Sequence, residues 1–159
     1  MSNITNINTQ LFTRIAAQLT SHKRLPNPYR VERNPDTFLR LGYGVAYDAG
    51  NQPAVLESCG NKVERQVRII ITRRFAAMDL DDSDKKTTEV ALFEDQQLLL
   101  ADFEKYPFLG SALGVNDYAY RMVFVSDTGI QFVQPDEADG GQYLYLESIF
   151  TMEYSNPLT

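Results

Sequence analysis

The sequence predicts an α+β fold: a single domain, with a mostly antiparallel four- to five-stranded sheet packed by two helices in the order α-β-β-α-β-β-β. Three observations carry this. Residues 62–78 (KVERQVRIIITRRFAAM) place Val63, Val67, Ile69, Ile71 and Phe75 on one side of a strand, interrupted by Arg65 and Arg73. Residues 143–154 (YLYLESIFTMEY) alternate in the same way. Two other stretches repeat their apolar residues every three to four positions, the period of a helix packed on one side. A chain of 159 residues is large enough to bury a core without a disulfide or metal staple.

In the first helix, Ile4, Ile7, Leu11, Ile15 and Leu19 form the stripe, widened by Phe12 and Ala16. Ser2 or Asn3 is placed to cap its start. His22, Lys23 and Arg24 suit the negative end of its dipole, and Leu25-Pro26-Asn27-Pro28 stops it. His22, the only histidine, reads as a helix-end charge and not as a catalytic base. Residues 28–35 form an extended connector, because a residue before proline is pushed out of the helical region. A first strand then runs from Thr37 to Tyr47, its Gly42 and Gly44 allowing a bend or a close neighbour. Its LGYGVAYDAG is no dinucleotide fingerprint, since no helix follows. Residues 48–51 turn and 52–61 link to the long strand at 62–78, and these two strands pair as neighbours. The long strand exceeds the usual length of about 5–6 residues, so its far end is expected to project as a hairpin or loop.

The acidic MDLDDSDKK (78–86) follows as a polar loop. It fails as a calcium loop, with Asp84 where glycine is needed and Val90 where a bidentate glutamate is needed. The second helix covers 89–106, with Leu92, Leu99, Leu100 and Phe103 on one side, Gln96 as a polar flaw in that stripe, and Ala91 and Leu98 turned away. An apolar bridge (108–115) leads to a strand at 118–125. Asp127-Thr128-Gly129 is expected to turn it into 130–133, a polar loop fills 135–141, and 143–154 closes the sheet. There Leu144, Leu146, Phe150, Met152 and Tyr154 face the core. Tyr143, Tyr145, Glu147, Ile149, Thr151 and Glu153 face the other way, where glutamates can pair across strands with Arg68, Arg74 or Arg121. With Ile70, the residues Tyr143, Tyr145 and Ile149 make an apolar patch on this second face, and monomers seldom leave such patches bare. Self-association is the expectation.

Composition narrows the function. A formal charge of -6 and a pI near 4.7 oppose a grip on nucleic-acid backbone. One histidine and one cysteine, Cys59, cannot build a zinc site. No catalytic residue, cofactor or metal is expected. Without a membrane-length apolar run or a signal-like start, a soluble, intracellularly made protein is expected.

Taken together, the N-terminal helix, extended connector, two strands, acidic loop, helix ended by Tyr106-Pro107, Asp127-Thr128-Gly129 turn, DEADGG loop and closing FTMEY strand resemble the tail terminator proteins of long-tailed (siphovirus-type) bacteriophages. The likeness covers nearly the whole chain and rests on order and length; the 49–61 link and the 126–142 loop are longer here. It implies a virion protein, assembled in the host cytoplasm, that forms a homohexameric ring. The ring would cap the head-proximal end of the tail tube, end polymerisation of the tube protein and meet the neck or head-completion proteins, while DNA passes its channel without specific binding. Contacts with other subunits or the tube are expected at Arg68, Ile70, Arg74, Tyr143, Tyr145, Glu147 and Ile149 on the second face. Met78, Leu80, Asp81 and Asp82 are expected to contribute from the acidic loop, and Leu98 from the helix. Another neck or completion protein shares these features. A small enzyme holding a metal between Asp79–Asp84 and Asp136–Asp139 is the alternative of a different class.

Overall fold

The computed structural model describes residues 3–47, 54–55, 62–75, 83–106, 119–133 and 142–155. In chain order, helix α1 (Asn3–Gln18) is followed by strand β1 (Lys23–Arg24), a 3-10 turn (Val31–Arg33) and the short helix α2 (Asp36–Leu39). Strands β2 (Leu41–Tyr47), β3 (Ala54–Val55) and β4 (Lys62–Phe75), helix α3 (Ser83–Lys105) and strands β5 (Ala119–Asp127), β6 (Gln131–Val133) and β7 (Gln142–Ser155) come next. The fold is α+β, with three helices on an open, mixed and mostly antiparallel sheet of order β1-β2-β4-β7-β5. β3 lies beside β4 and β6 beside β7. Only the β1–β2 pair is parallel among the described strands.

β4 and β7 are the centre. They pair residue for residue from Lys62 with Ser155 to Phe75 with Gln142. The far end of the long strand therefore does not project alone, as its length suggested; an equally long partner accompanies it to Phe75. β2 pairs with β4 as an antiparallel neighbour, as expected. α3 crosses from β4 to β5, which runs in the same direction as β4 with β7 inserted between them, a split β-α-β unit.

One face of the sheet carries the larger core. Ile7, Leu11 and Ile15 of α1, Leu19 just after it, and Leu92, Leu99 and Phe103 of α3, pack on Val67, Ile69, Ile71, Leu144, Phe150 and Met152. Burying each such side chain is worth about 1.5–3 kcal/mol. Gln96, the flaw in the α3 stripe, is 7% exposed. Its amide donates to Ser148 Oγ at 2.9 Å and to Asp127 Oδ2 at 3.1 Å. Ser148 is a buried polar position on the core face of β7, so the two irregularities satisfy each other.

The second face is not bare. Leu25, Val31 and Leu39, with Phe38, fold back across the sheet and enclose Ile70, Ala46, Val133 and Tyr143. Ile70 and Tyr143 are 0% exposed. Of the apolar patch expected there, Ile70 and Tyr143 are thus covered by the chain's own connector and are core residues, not contact residues, while Tyr145 and Ile149 are half-buried. Gly42 and Gly44 make this possible. A Cβ on Gly44 would lie 2.9 Å from Pro28 Cβ, and one on Gly42 would lie 2.5 Å from Thr72 Oγ1 and 2.7 Å from Leu25 Cδ2. Asn34, 3% exposed, fastens the connector by accepting from Asn27 N and donating to the carbonyls of Asn27 and Val31.

Three local expectations are also corrected. Residues 36–39 form a helical turn and not the start of a strand. Pro35 has the extended backbone of a helix cap, its carbonyl accepts from Phe38 N and Leu39 N, and the turn drives Leu39 into the second core. α3 begins at Ser83, inside the expected loop, because residues 83–89 hold no apolar side chain for a periodicity reading to register. Asp127-Thr128-Gly129 does not reverse the chain. β5 and β6 both run antiparallel to β7, with Asp127 opposite Ser148 and Gln131 opposite Tyr145. Four steps on the edge thus match three on β7, which makes the segment a bulge in one interrupted edge strand. Gly129 supplies the required φ of 71°, and its N–H donates to Asp127 Oδ1 at 2.9 Å.

Candidate functional site

A group of titratable side chains joins the segment after α1 to β4 and α3. Asp95 accepts from Arg73 Nε at 2.6 Å and Nη2 at 2.9 Å, and its Oδ2 lies 3.2 Å from His22 Nε2. Burial alone would raise the Asp95 pKa. The hydrogen bonds from Arg73 and His22 reverse that and hold the carboxyl below its ordinary value. The same bond to Asp95 raises the Arg73 pKa. His22 therefore turns inward, its side chain 4% exposed, instead of standing in solvent at the helix end. A histidine beside a carboxylate is half of an acid-base relay. Here Nδ1, the nitrogen that would face a substrate, is enclosed without a partner among the described residues. The cluster is a clamp between three elements.

No group of three or more histidine, cysteine, aspartate or glutamate side chains gathers for a metal among the described residues. The loop acids Asp79, Asp81, Asp82, Asp136, Glu137 and Asp139 lie outside the described residues, as do Met78, Leu80, Cys59 and the 108–115 bridge. No helix among the described residues is long and apolar enough to cross a membrane.

The expected contact residues on the second face fall into separate settings. Arg68 Nη1 donates to both Glu147 oxygens, at 3.0 and 3.1 Å, in a pair only 20% and 15% exposed. These charges are engaged with each other. Tyr145 is half-buried; burial first, then the charge of Glu147, raises its pKa. Ile149 is half-buried opposite Arg68. Arg74 is exposed opposite Tyr143, and Leu98 is 48% exposed on the outer side of α3.

The more extensive apolar surface lies on the sheet edge, where sequence reasoning had not placed it. Val123, Phe124 and Val125 of β5 are 37%, 38% and 51% exposed, and Phe132 of β6 is 48% exposed. Phe124 stacks edge-on against Phe150 at 5.6 Å and Phe132 against Phe75 at 6.2 Å. Val123 lies opposite Thr151, and Val125 sits at an irregularity in the pairing, between Phe124 opposite Phe150 and Ser126 opposite Ile149. A groove of about 390 Å³ runs beside this edge, lined by Leu100, Phe103 and Glu104 of α3 and by Met122, Val123 and Phe124. MVFV is a continuous apolar run, and only its place at the end of the strand order marks it as an edge.

The opposite edge has a different character. β1 is two residues long, and both Lys23 and Arg24 are exposed, a common protection of a sheet edge. Arg24 lies 3.6 Å above the Phe12 ring. A second groove of about 390 Å³ lies there, lined by Asn8, Phe12, Arg24, Pro26, Pro28, Tyr29 and Tyr47. Tyr47 donates to Asn8 Oδ1 at 2.9 Å, and burial pushes its pKa up to about 12. Tyr29 stands out from this groove, 61% exposed. Residues 23–40 hold five basic and two acidic side chains, whereas α3 holds six acidic and three basic. The 23–40 stretch is thus net basic, whereas two of the α3 acids, Asp95 and Asp102, are taken up by Arg73 and Arg14.

Comparison with known proteins finds no family model that matches the chain and no curated protein similar to it.

Proposed function

We propose that this chain is a structural virion protein of the tail-terminator type. It works as a ring of identical subunits that occupies the head-proximal end of the tail tube, stops tube growth and presents its other side to neck proteins. The observation that carries the reading is the open β5–β6 edge, where Val123, Phe124, Val125 and Phe132 are left for another protein surface to cover. The element order supports it. Setting aside the short elements β1, α2, β3 and β6, the chain runs α1-β2-β4-α3-β5-β7 in what we take as one domain, and the bulge at 127–131 replaces the expected reversal between two of the three final strands. The connector covers the apolar centre of the second face. Unlike edges on the two sides of the sheet suit a head-to-tail contact, which closes into a ring when the rotation allows. An overall charge of -6 suits a channel through which DNA moves without adhering.

Mixing the purified protein with the corresponding tube protein tests this. Density at one end of each tube in electron micrographs, together with shorter tubes when the protein is present during assembly, is the expected result. Decoration along tube walls, or bare tubes, would contradict it.

A further inference from the structure

We infer that the stretch of β2 beyond β1 binds an extended acidic segment of another protein, which joins the sheet as a short strand between α1 and the connector. The pairing of β1 ends with Arg24 opposite Tyr43, and its last bond runs from Leu25 N to Tyr43 O at 2.8 Å. Backbone groups along an antiparallel strand point alternately to its two neighbours, so Val45, like Tyr43, turns its N–H and C=O away from β4. One more step of β1 would set Leu25 O on Val45 N and Asn27 N on Val45 O. Asn27 N instead donates to Asn34 Oδ1 at 2.8 Å, and the connector turns onto the second face with Pro28 against Gly44. Both outward groups of Val45 are thereby left without a backbone partner among the described residues. The groove of about 390 Å³ lies along this stretch. Val45 buries its side chain in the larger core, so what it offers the groove is backbone. An added strand would turn alternate side chains to the two walls. On the α1 wall stands Arg24, 3.6 Å above the Phe12 ring. Arg30 and Arg40 pair with Glu32 and Asp36, but neither Lys23 nor Arg24 has a carboxylate partner among the described residues. The connector wall, of Pro26, Pro28 and Tyr29, is apolar and aromatic. An occupant that alternates acidic and apolar residues matches both walls, with its carboxylates turned to Arg24. This margin lies at the other end of the strand order from the β5 edge on which the tail-end role rests.

The probe is a short fluorescent peptide of alternating aspartate and valine, titrated into the full chain and followed by polarisation and by amide chemical shifts. Saturable binding is expected, with the largest shifts and a gain of exchange protection at Val45 and Tyr47. The same peptide N-methylated along its backbone keeps its charge but cannot donate to the strand, and is expected to bind at least about tenfold more weakly. Arg24 is exposed, so Arg24→Glu should stay folded, which urea unfolding checks. It is expected to weaken the aspartate peptide about tenfold and to favour a lysine-valine peptide instead. Equal affinity for the N-methylated peptide would reduce the contact to charge attraction and overturn the inference. A wild-type chain that takes the lysine peptide as well as the aspartate one would also overturn it, as would failure to saturate or shifts confined to the β5 edge. Concentration-dependent shifts at Val45 without any peptide would assign the groove to a second copy and overturn it as well.

Discussion

Replacing Asp95 with asparagine retains the shape of the three-element clamp and removes its negative charge. Arg73 then loses the carboxylate that it holds at 2.6 and 2.9 Å, and His22 loses its only charged acceptor in the clamp. Removing one member of a buried ion pair costs about 3–5 kcal/mol. The Arg73 side chain is 28% exposed, so water takes up part of the stranded charge, and the asparagine oxygen can still accept one bond. A loss of about 2 kcal/mol at pH 7 is therefore expected, equivalent to about 4–8 °C in Tm for a chain of this size. The pH dependence supplies the sharper criterion. Folding lowers the Asp95 pKa, so on acidification the unfolded chain takes up this proton first. The stabilisation is complete above the ordinary carboxyl value of about 3.9 and disappears as the pH falls through the lower folded-state value. Urea unfolding of both proteins between pH 7 and pH 2 should show two stability curves that converge in acid. A gap below about 0.5 kcal/mol at pH 7, or one that persists unchanged at pH 2, would refute the assignment of the clamp.

Gln96→Leu strands the Ser148 hydroxyl in the core and is expected to cost about 1–3 kcal/mol. Adding Ser148→Ala should recover at least half of that loss in chemical denaturation, and strict additivity of the two changes would show that the residues do not act as a pair. Tyr143→Phe removes a buried hydroxyl that has no partner among the described residues. Urea unfolding should show unchanged stability or a gain of up to about 1 kcal/mol, whereas a loss above that size would reveal a bond to this oxygen. Gly42→Ala presses a methyl group against the Phe38 carbonyl oxygen and Thr72 Oγ1, both held by the connector. A Tm drop of several degrees, with faster hydrogen exchange at Leu25 and Arg40, is the expected readout, and an unchanged Tm would mean that the connector moves aside at little cost.

The strand and helix faces were legible because burial on one side imposes a period, and Val67, Ile69 and Ile71 or Ile7, Leu11 and Ile15 obey it. Ile70 and Tyr143 were legible as buried-type residues on the opposite face, but what encloses them was not. Leu25, Val31 and Leu39 sit among prolines and charges, without any period of their own, and their role depends on two glycines that let the connector approach β2. Gln96 was readable only as a flaw in its stripe and Arg73 only as an interruption of its strand face, because their partners Ser148 and Asp95 are distant in sequence. The exposed edge was hidden for a different reason. A run such as MVFV reads the same in a central strand as in a terminal one, and only the order of strands places it at the margin. Leu98, which the helix period turned outward, is exposed as read.

The first forty residues lie on both sides of the sheet, α1 on one and the connector on the other, and the chain passes between them around the outer margin of β2 at Lys23–Arg24. That crossing works like a hem. The backbone bond from Leu25 N to Tyr43 O at 2.8 Å and the two paired residues of β1 keep both coverings folded over one strand. Peeling the hem uncovers the two cores together, so amide exchange at this margin should follow the opening of the whole molecule and not the fraying of one end.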